Sequence, residues 1–145
     1  MLYQYWKKKQ KLILIKNDKL STNYKDEIKS VIGGYLTQEK NNTKIKKSDL
    51  HRVSNKKARL RIFNDLIFAF KICKHVKSNA IVLVNNKQTV GIGAGQMSRL
   101  DATKIAILKS KTNAKNILFV AASDAFFPFI DNIKLLIKNN CKGIV

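Results

Sequence analysis

The stretch Thr89–Leu100, TVGIGAGQMSRL, limits the folds open to this chain more than any other. Thr89-Val90 closes an apolar run, and Gly91, Gly93 and Gly95 follow at alternate positions. Glycines so spaced free the backbone for close approach to a ligand or to another strand. Ser98 with Asp101 three residues on has the spacing of a capping box, which predicts a helix starting there. A strand, a glycine turn and a helix start in succession belong to α/β layers, and the unpaired N–H groups of the helix end make the junction a place for an anion. Arg99, in the first turn, adds a guanidinium able to fork onto a phosphate or a carboxylate. The spacing is GxGxG, so the dinucleotide fingerprint is not met, and without a following Gly-Lys-Ser/Thr neither is the P-loop. A tight strand-to-helix turn with no ligand fits the same residues, and the pattern leaves both readings open.

The flanking sequence extends the α/β reading. Leu60, Phe63, Ile67, Phe70 and Cys73 recur at three- and four-residue steps, predicting an amphipathic helix of about 18 residues from Ala58. Asn79–Val84 is rich in β-branched residues, Asn85-Asn86-Lys87 turns it and Gln88–Ile92 returns, as a hairpin does. Leu100–Lys109 reads as a helix with Ile105 and Leu108 inward, and Asn116–Ala122 as a buried strand. Ile130–Lys138 reads as a short helix with Ile133, Leu136 and Ile137 on one side, and Gly143–Val145 as the start of a strand. Helices alternating with a largely parallel sheet are the expected architecture, with ligands at the carboxyl ends of strands. Upstream, Lys11–Ile15 is a short strand candidate, residues 21–30 read as polar loop, Ile32–Gln38 as a turn into a strand, and Glu39–Asn55 as a lysine-rich linker or long loop.

Composition narrows the partners. A formal net charge of +20 raises nucleic acid or an anionic membrane. Yet of 29 basic residues only Arg52, Arg59, Arg61 and Arg99 are arginine, whereas readers of nucleic acid lean on arginine for bidentate contacts. Apart from Lys7–Lys9 and a patch around Lys44–Lys57 the lysines are scattered, so a solvated surface is expected and nucleic acid is not the expected partner. No apolar run reaches the roughly 18 residues that a bilayer span needs, and no membrane partner is expected. Cys73 and Cys141 lie outside any CxxC or Cys/His cluster, and His51 and His75 lack ligand spacing. Buried free thiols, no metal and a cytoplasmic location are the expectations.

Two further segments carry chemistry-bearing residues. Asn79 lies between a helix end and a strand, where a cap or turn former and an amide-orienting group are both in keeping. Ser123–Phe129, SDAFFPF, with Asp131 beyond it, fits an aromatic shelf for a flat heterocycle beside a carboxylate. It equally fits rings buried in the core and aspartates capping the next helix. No nucleophile–base pair is visible, and the zinc deaminase signature is absent.

Taken together, Lys74–Val82 (KHVKSNAIV), Thr89–Arg99 (TVGIGAGQMSR) and Ala122–Phe129 (ASDAFFPF) resemble, in order and spacing, a family of bifunctional purine-biosynthesis enzymes. That family pairs AICAR (aminoimidazole carboxamide ribonucleotide) transformylase with IMP cyclohydrolase. The likeness extends more weakly to Gly33–Gln38, covers most of residues 30–145 and fits residues 1–29 loosely. It implies a cytidine-deaminase-like layered sheet with flanking helices, incomplete at both ends. Residues 30–145 would be a partial transformylase domain with a polar loop at 39–57, preceded by a basic segment at 1–29.

The implied reaction moves a formyl group from 10-formyltetrahydrofolate, as co-substrate, to the amine of AICAR on the path to IMP. By motif, Asn79 resembles the family's catalytic asparagine and Arg99 its nucleotide-binding arginine. Leu100, Phe126 and Asp131 resemble positions lining the folate site. The family's catalytic Lys-His pair, its cyclohydrolase domain and its C-terminal stretch are not matched, and Ile130 stands where an arginine is common. The resemblance therefore implies an internal piece of a transformylase, inactive alone, whose site a homodimer partner or a complementing fragment would complete. A basic nucleic-acid-binding protein and an inert gene remnant are the competing expectations.

Overall fold

The computed structural model describes residues 25–113 and 117–145, so the Lys11–Ile15 strand candidate lies outside the described residues. The chain divides into two units between Thr43 and Lys44. In the first, β1 (Asp26–Val31) and β2 (Gly34–Glu39) pair antiparallel across a two-residue turn, Ile32-Gly33. Gly33 holds φ at +85°, a conformation that glycine alone adopts freely. Asp26–Ser30, expected to be loop, is strand: the ladder to Tyr35–Glu39 outweighs its weak apolar alternation.

The second unit contains α1 (Leu60–Cys73), β3 (Ile81–Asn85), β4 (Gln88–Gly93), α2 (Arg99–Asn113), β5 (Phe119–Ser123), α3 (Ile130–Lys138) and β6 (Cys141–Ile144). Before α1 the lysine-rich stretch is irregular apart from one 3-10 turn, Lys47–Asp49. The sheet order is β4-β3-β5-β6. β3 pairs antiparallel with both β4 and β5, and only β5 and β6 are parallel. The protein is thus mixed α/β, and the largely parallel sheet expected from sequence is not what forms. The reason is the tight β3–β4 hairpin. It reverses the chain, and α2 then delivers β5 to the other side of β3 running with β4 and against β3.

Both faces of this sheet are covered, which is why its central strands read as continuous apolar runs. Val82, Val84, Val120 and Ala122 meet Leu66, Ala69 and Cys73 of α1. Ile81, Leu83, Phe119 and Ala121 meet Ala102, Ala106 and Ile107 of α2 and Leu136 of α3. Each fully buried aliphatic side chain stabilises the fold by about 1.5–3 kcal/mol.

All three helices differ from expectation in phase: on α1 the expected stripe residues Leu60 and Phe70 are exposed, and Leu66 and Ala69 are buried with Cys73. Leu108 and Ile137 are exposed, and α2 buries small residues instead: Ala102, Thr103, Ala106 and Ser110. The cause lies in the glycines of β4. A Cβ on Gly91 would strike the carbonyl of Ala106, and one on Gly93 that of Ala102. Two of the three glycines therefore let a helix backbone press against a strand. Only Gly95, at φ +64°, lies in the turn itself.

Candidate functional site

The carboxyl ends of β4, β5 and β6 and the amino end of β3 meet at one edge of the sheet. The register sets Ile81 opposite both Gly93 and Ser123, and the Ser123 N–H donates to the Val145 carbonyl at 2.9 Å. Helix α2 starts at this edge, and α3 follows β5 after the Asp124–Phe129 turn. In α/β sheets ligands gather where strands end and helices begin.

Asn79 stands just before β3. Its side-chain amide donates to the carbonyls of Gln96 (2.9 Å) and Met97 (3.3 Å), while its backbone exchanges hydrogen bonds with Gln96. The Gly95 N–H donates to the Lys77 carbonyl at 2.7 Å. The segment from Lys77 to Asn79 and the glycine turn are thus laced together, fixing the plane of the Asn79 carboxamide.

Ser98 caps α2. Its hydroxyl accepts the Asp101 N–H at 3.0 Å and donates to the Asp101 carboxylate at 2.8 Å. Those bonds, with Lys104 close by, hold the Asp101 carboxyl below the ordinary carboxylate range. Half of the capping box read from sequence is described: the Asp101 carboxylate bonds to the Ser98 hydroxyl, and it lies at the helix end that an anion would seek.

Arg99 turns inward from the first turn. Its Nε donates to the Ser123 hydroxyl at 2.9 Å and its Nη2 to the Asp124 carboxylate at 3.0 Å, with 13% of the Arg99 side chain and 14% of the Asp124 side chain exposed. The same Asp124 oxygen accepts the Ala80 N–H at 3.0 Å. Burial raises the Asp124 pKa, but hydrogen bonds from the Ser78 side chain, the Ala80 N–H and Arg99 outweigh it and hold the carboxyl below the ordinary carboxylate range. Behind Arg99, the Thr103 hydroxyl lies 2.9 Å from the Arg99 carbonyl and 2.8 Å from the Asn132 side-chain carbonyl, tying α2 to α3 in the core.

The structure therefore brings Asn79 and Arg99 to one rim, linked through Ala80, Asp124 and Gln96–Ser98. Leu100 follows Arg99, half-buried in the same turn of α2. Phe126 and Asp131 occupy the turn and first helical turn after Asp124. The Asp131 carboxylate accepts the backbone N–H and the side-chain amide of Asn132, and among the described contacts none links Phe126 or Asp131 directly to Asn79 or Arg99. The three phenylalanines divide: Phe127 packs on the core, while Phe126 (79%) and Phe129 (71%) stay exposed. The aspartates do not cap α3, whose N-cap is Phe129 with no side-chain bond.

Sequence reasoning missed the partnership of Arg99 with Ser123 and Asp124. The only signal for it was the fork an arginine can make to a carboxylate, because the pairing depends on the β3–β5 register. Cys73 lies beneath, and burial, with the Asp124 charge adding and Arg99 opposing, raises its thiol to about 11. It is a core residue, with no nucleophilic role at neutral pH. Among the described residues no group of three His, Cys, Asp or Glu could hold a metal, and no helix is long and apolar enough to cross a membrane. A hollow lined by Arg61, Asn64, Asp65 and Lys87 lies at the opposite end of the sheet.

Comparison with known proteins gives this geometry a context. The model of the AICARFT/IMPCHase bienzyme family matches residues 2–109. The chain is 41% identical over 139 residues, 96% of its length, to the bifunctional purine biosynthesis protein PurH of Prochlorococcus marinus (strain MIT 9301). It is 44% identical over 95% of its length to that of Buchnera aphidicola subsp. Baizongia pistaciae, and 48% identical over 72% to that of Parvibaculum lavamentivorans. The chain spans about a quarter of the length of these relatives: 26%, 27% and 21% respectively.

Proposed function

The chain belongs to the AICARFT/IMPCHase bienzyme family, and from that premise we propose that residues 30–145 are part of an AICAR transformylase. The reaction served is transfer of a formyl group from 10-formyltetrahydrofolate to the amine of AICAR, in IMP biosynthesis. The mixed sheet covered by helices on both faces supports a cytidine-deaminase-like fold for this region. A homodimer or complementing fragments completing the site, in the cytoplasm and without metal, belong to the same reading.

One observation carries it. The three motifs that resemble the family, separated in sequence, meet at a single rim: Asn79 from the first, Arg99 from the second and Ser123-Asp124 from the third. Two of the five N–H donors of Arg99 hold it to Ser123 and Asp124, and its outer edge presents charge to the ribonucleotide. Asn79 has its amide nitrogen committed to the turn, so its carbonyl oxygen is the acceptor it offers to the AICAR amine. That aromatic amine is a weak base. It must shed a proton as it attacks the formyl carbon, and the oxyanion then formed needs donors. Leu100, Phe126 and Asp131 are the folate-side residues in this reading, and the exposed Phe126 ring supplies a face for the pterin to stack on.

Calorimetric titration of AICAR and of a non-transferable folate analogue into the chain tests the reading. It is repeated with a separate polypeptide supplying the remaining transformylase sequence. Saturable AICAR binding that weakens roughly tenfold or more in Arg99→Ala is expected, the size of a lost charge-assisted contact. Absence of saturable binding in both arrangements contradicts it. Nucleic-acid binding that falls about a thousandfold between 50 and 200 mM salt would favour the basic-protein reading instead.

A further inference from the structure

Ser123 and Asp124 open the loop after β5, and Asp124 is the one acidic group described at this edge of the sheet that is bonded to two of the three converging segments at once. Its Oδ1 accepts the Ala80 N–H and the Arg99 Nη2, each at 3.0 Å, and its own N–H donates to the Ala80 carbonyl at 3.3 Å. The Ser78 side chain bonds to the same carboxylate. On the far side of Ala80, Asn79 is tied to the carbonyls of Gln96 and Met97, three and two residues before Arg99. A closed circuit results: Asn79, the glycine turn, Arg99, Asp124, Ala80 and back to Asn79. Removing the Gln96 or Met97 contacts leaves Arg99 held by Ser123 and Asp124, whereas removing the Asp124 charge leaves the guanidinium held by Ser123 alone and weakens the contact to Ala80 beside Asn79.

We propose that Asp124 is a positioning residue which, with Ser123, fixes the Arg99 guanidinium and the Asn79 carboxamide at one separation, so that a single anionic nucleotide meets both. This rests on the AICAR reading for the identity of the ligand but not for the geometry. Asp124 touches no reacting atom in this scheme; it acts through the two residues it holds. The low exposure of the pair makes the hold firm, since a carboxylate and guanidinium shielded from water are screened little by salt. A surface pair such as Lys104–Asp101, at 3.2 Å and largely exposed, has no such effect.

The test reads Arg99 and Asn79 directly. In a nitrogen–proton correlation spectrum of the whole chain, the Arg99 Nη2 protons should exchange slowly with solvent, and the Asn79 side-chain amide should give two resolved signals. Asp124→Asn keeps the size of the side chain and removes its charge. It is expected to speed exchange of the Arg99 Nη2 protons, whose partner is the Asp124 carboxylate, by roughly tenfold or more and to shift the Asn79 amide signals, as loss of a charge-assisted bond implies. Asp124→Glu is expected to restore part of the protection. Asp65→Asn is the control. Asp65 is also a buried carboxylate with two backbone donors, at the opposite end of the sheet, so its loss lowers stability without touching Arg99. Arg99 exchange unchanged in Asp124→Asn overturns the proposal, and so does equal acceleration in Asp65→Asn. No nucleotide enters these measurements. A wild-type chain that fails to bind AICAR counts against the substrate assignment, and the exchange data decide the positioning role independently.

Discussion

The two ends of the four-stranded sheet each depend on a carboxylate, and use it differently. At the hairpin end, Asp65 of α1 accepts the N–H groups of Asn86 (3.0 Å) and Lys87 (2.8 Å). Those two residues form the β3–β4 turn with φ of 53° and 55°, a left-handed conformation that disfavours lysine. The carboxylate is consumed in holding backbone. At the other end Asp124 also accepts a backbone N–H, but it spends the same oxygen on Arg99, whose guanidinium has donors to spare. One end is closed on itself, and the other ends in a charged group that a ligand can still address. Similar chemistry yields a structural clasp in one place and a candidate binding rim in the other. What separates them is whether the partner is backbone, with one donor each, or arginine, with five.

Predictions follow that break or sharpen this contrast. The largest effect belongs to Gly93→Ala, because the new methyl meets the backbone carbonyl of Ala102, which cannot move aside. A loss of about 3 kcal/mol or more in urea unfolding is expected, and binding at the rim should disappear with the fold. A change within about 1 kcal/mol would mean that α2 does not press on β4.

Asp65→Ala comes next, at about 2 kcal/mol, since the two N–H groups it abandons lie in an exposed turn where water partly replaces it. AICAR affinity of the folded fraction should be unchanged. Altered affinity would show that the two ends are coupled.

The third effect is acid sensitivity at the rim. The Asp124 pKa is depressed below the ordinary carboxylate range, so its contribution is complete above the unfolded value and is lost as pH falls through the lower folded value. Protection of the Arg99 Nη2 protons should hold at pH 5 and be lost in strong acid, as guanidinium proton exchange would record. Protection that disappears well above pH 4 would contradict the depressed pKa.

The smallest effect is a gain. Lys87→Gly relieves the positive φ while leaving both Asp65 bonds intact, and should stabilise the chain by about 0.5–1 kcal/mol by thermal unfolding. A loss would mean that the turn does not strain its lysine.

Much of this contrast was legible in the sequence, and the rest was not for identifiable reasons. The β3–β4 hairpin, the buried β5 run and the existence of α1 follow from local pattern, but the stripe expected on α1 does not hold: Leu60 and Phe70 are exposed, and Leu66 and Ala69 are buried with Cys73. Nor does the phase of α2, because its buried face is mostly alanine, threonine and serine, with Ile107 beside them, and is set by two glycines on a strand. Leu108 looked inward and points out. The direction of the sheet was misread because nothing in β5 declares which side of β3 it joins.

At the site, Asn79, Arg99, Leu100, Phe126 and Asp131 were named by motif, and the first two share a rim linked by hydrogen bonds. The carboxylate that joins them was visible only as one residue of an unusual segment. Its partner is 25 residues away and is set by register, which no local spacing records.

The most direct measurement is a nuclear magnetic resonance titration of the chain with AICAR, following the Arg99 Nε–H and the Asn79 side-chain amide. The account predicts saturable shifts at both groups, with one common dissociation constant, and no such change at the Asp65 turn. Shifts confined to scattered lysines, or none at Arg99 and Asn79 at saturating AICAR, would contradict it.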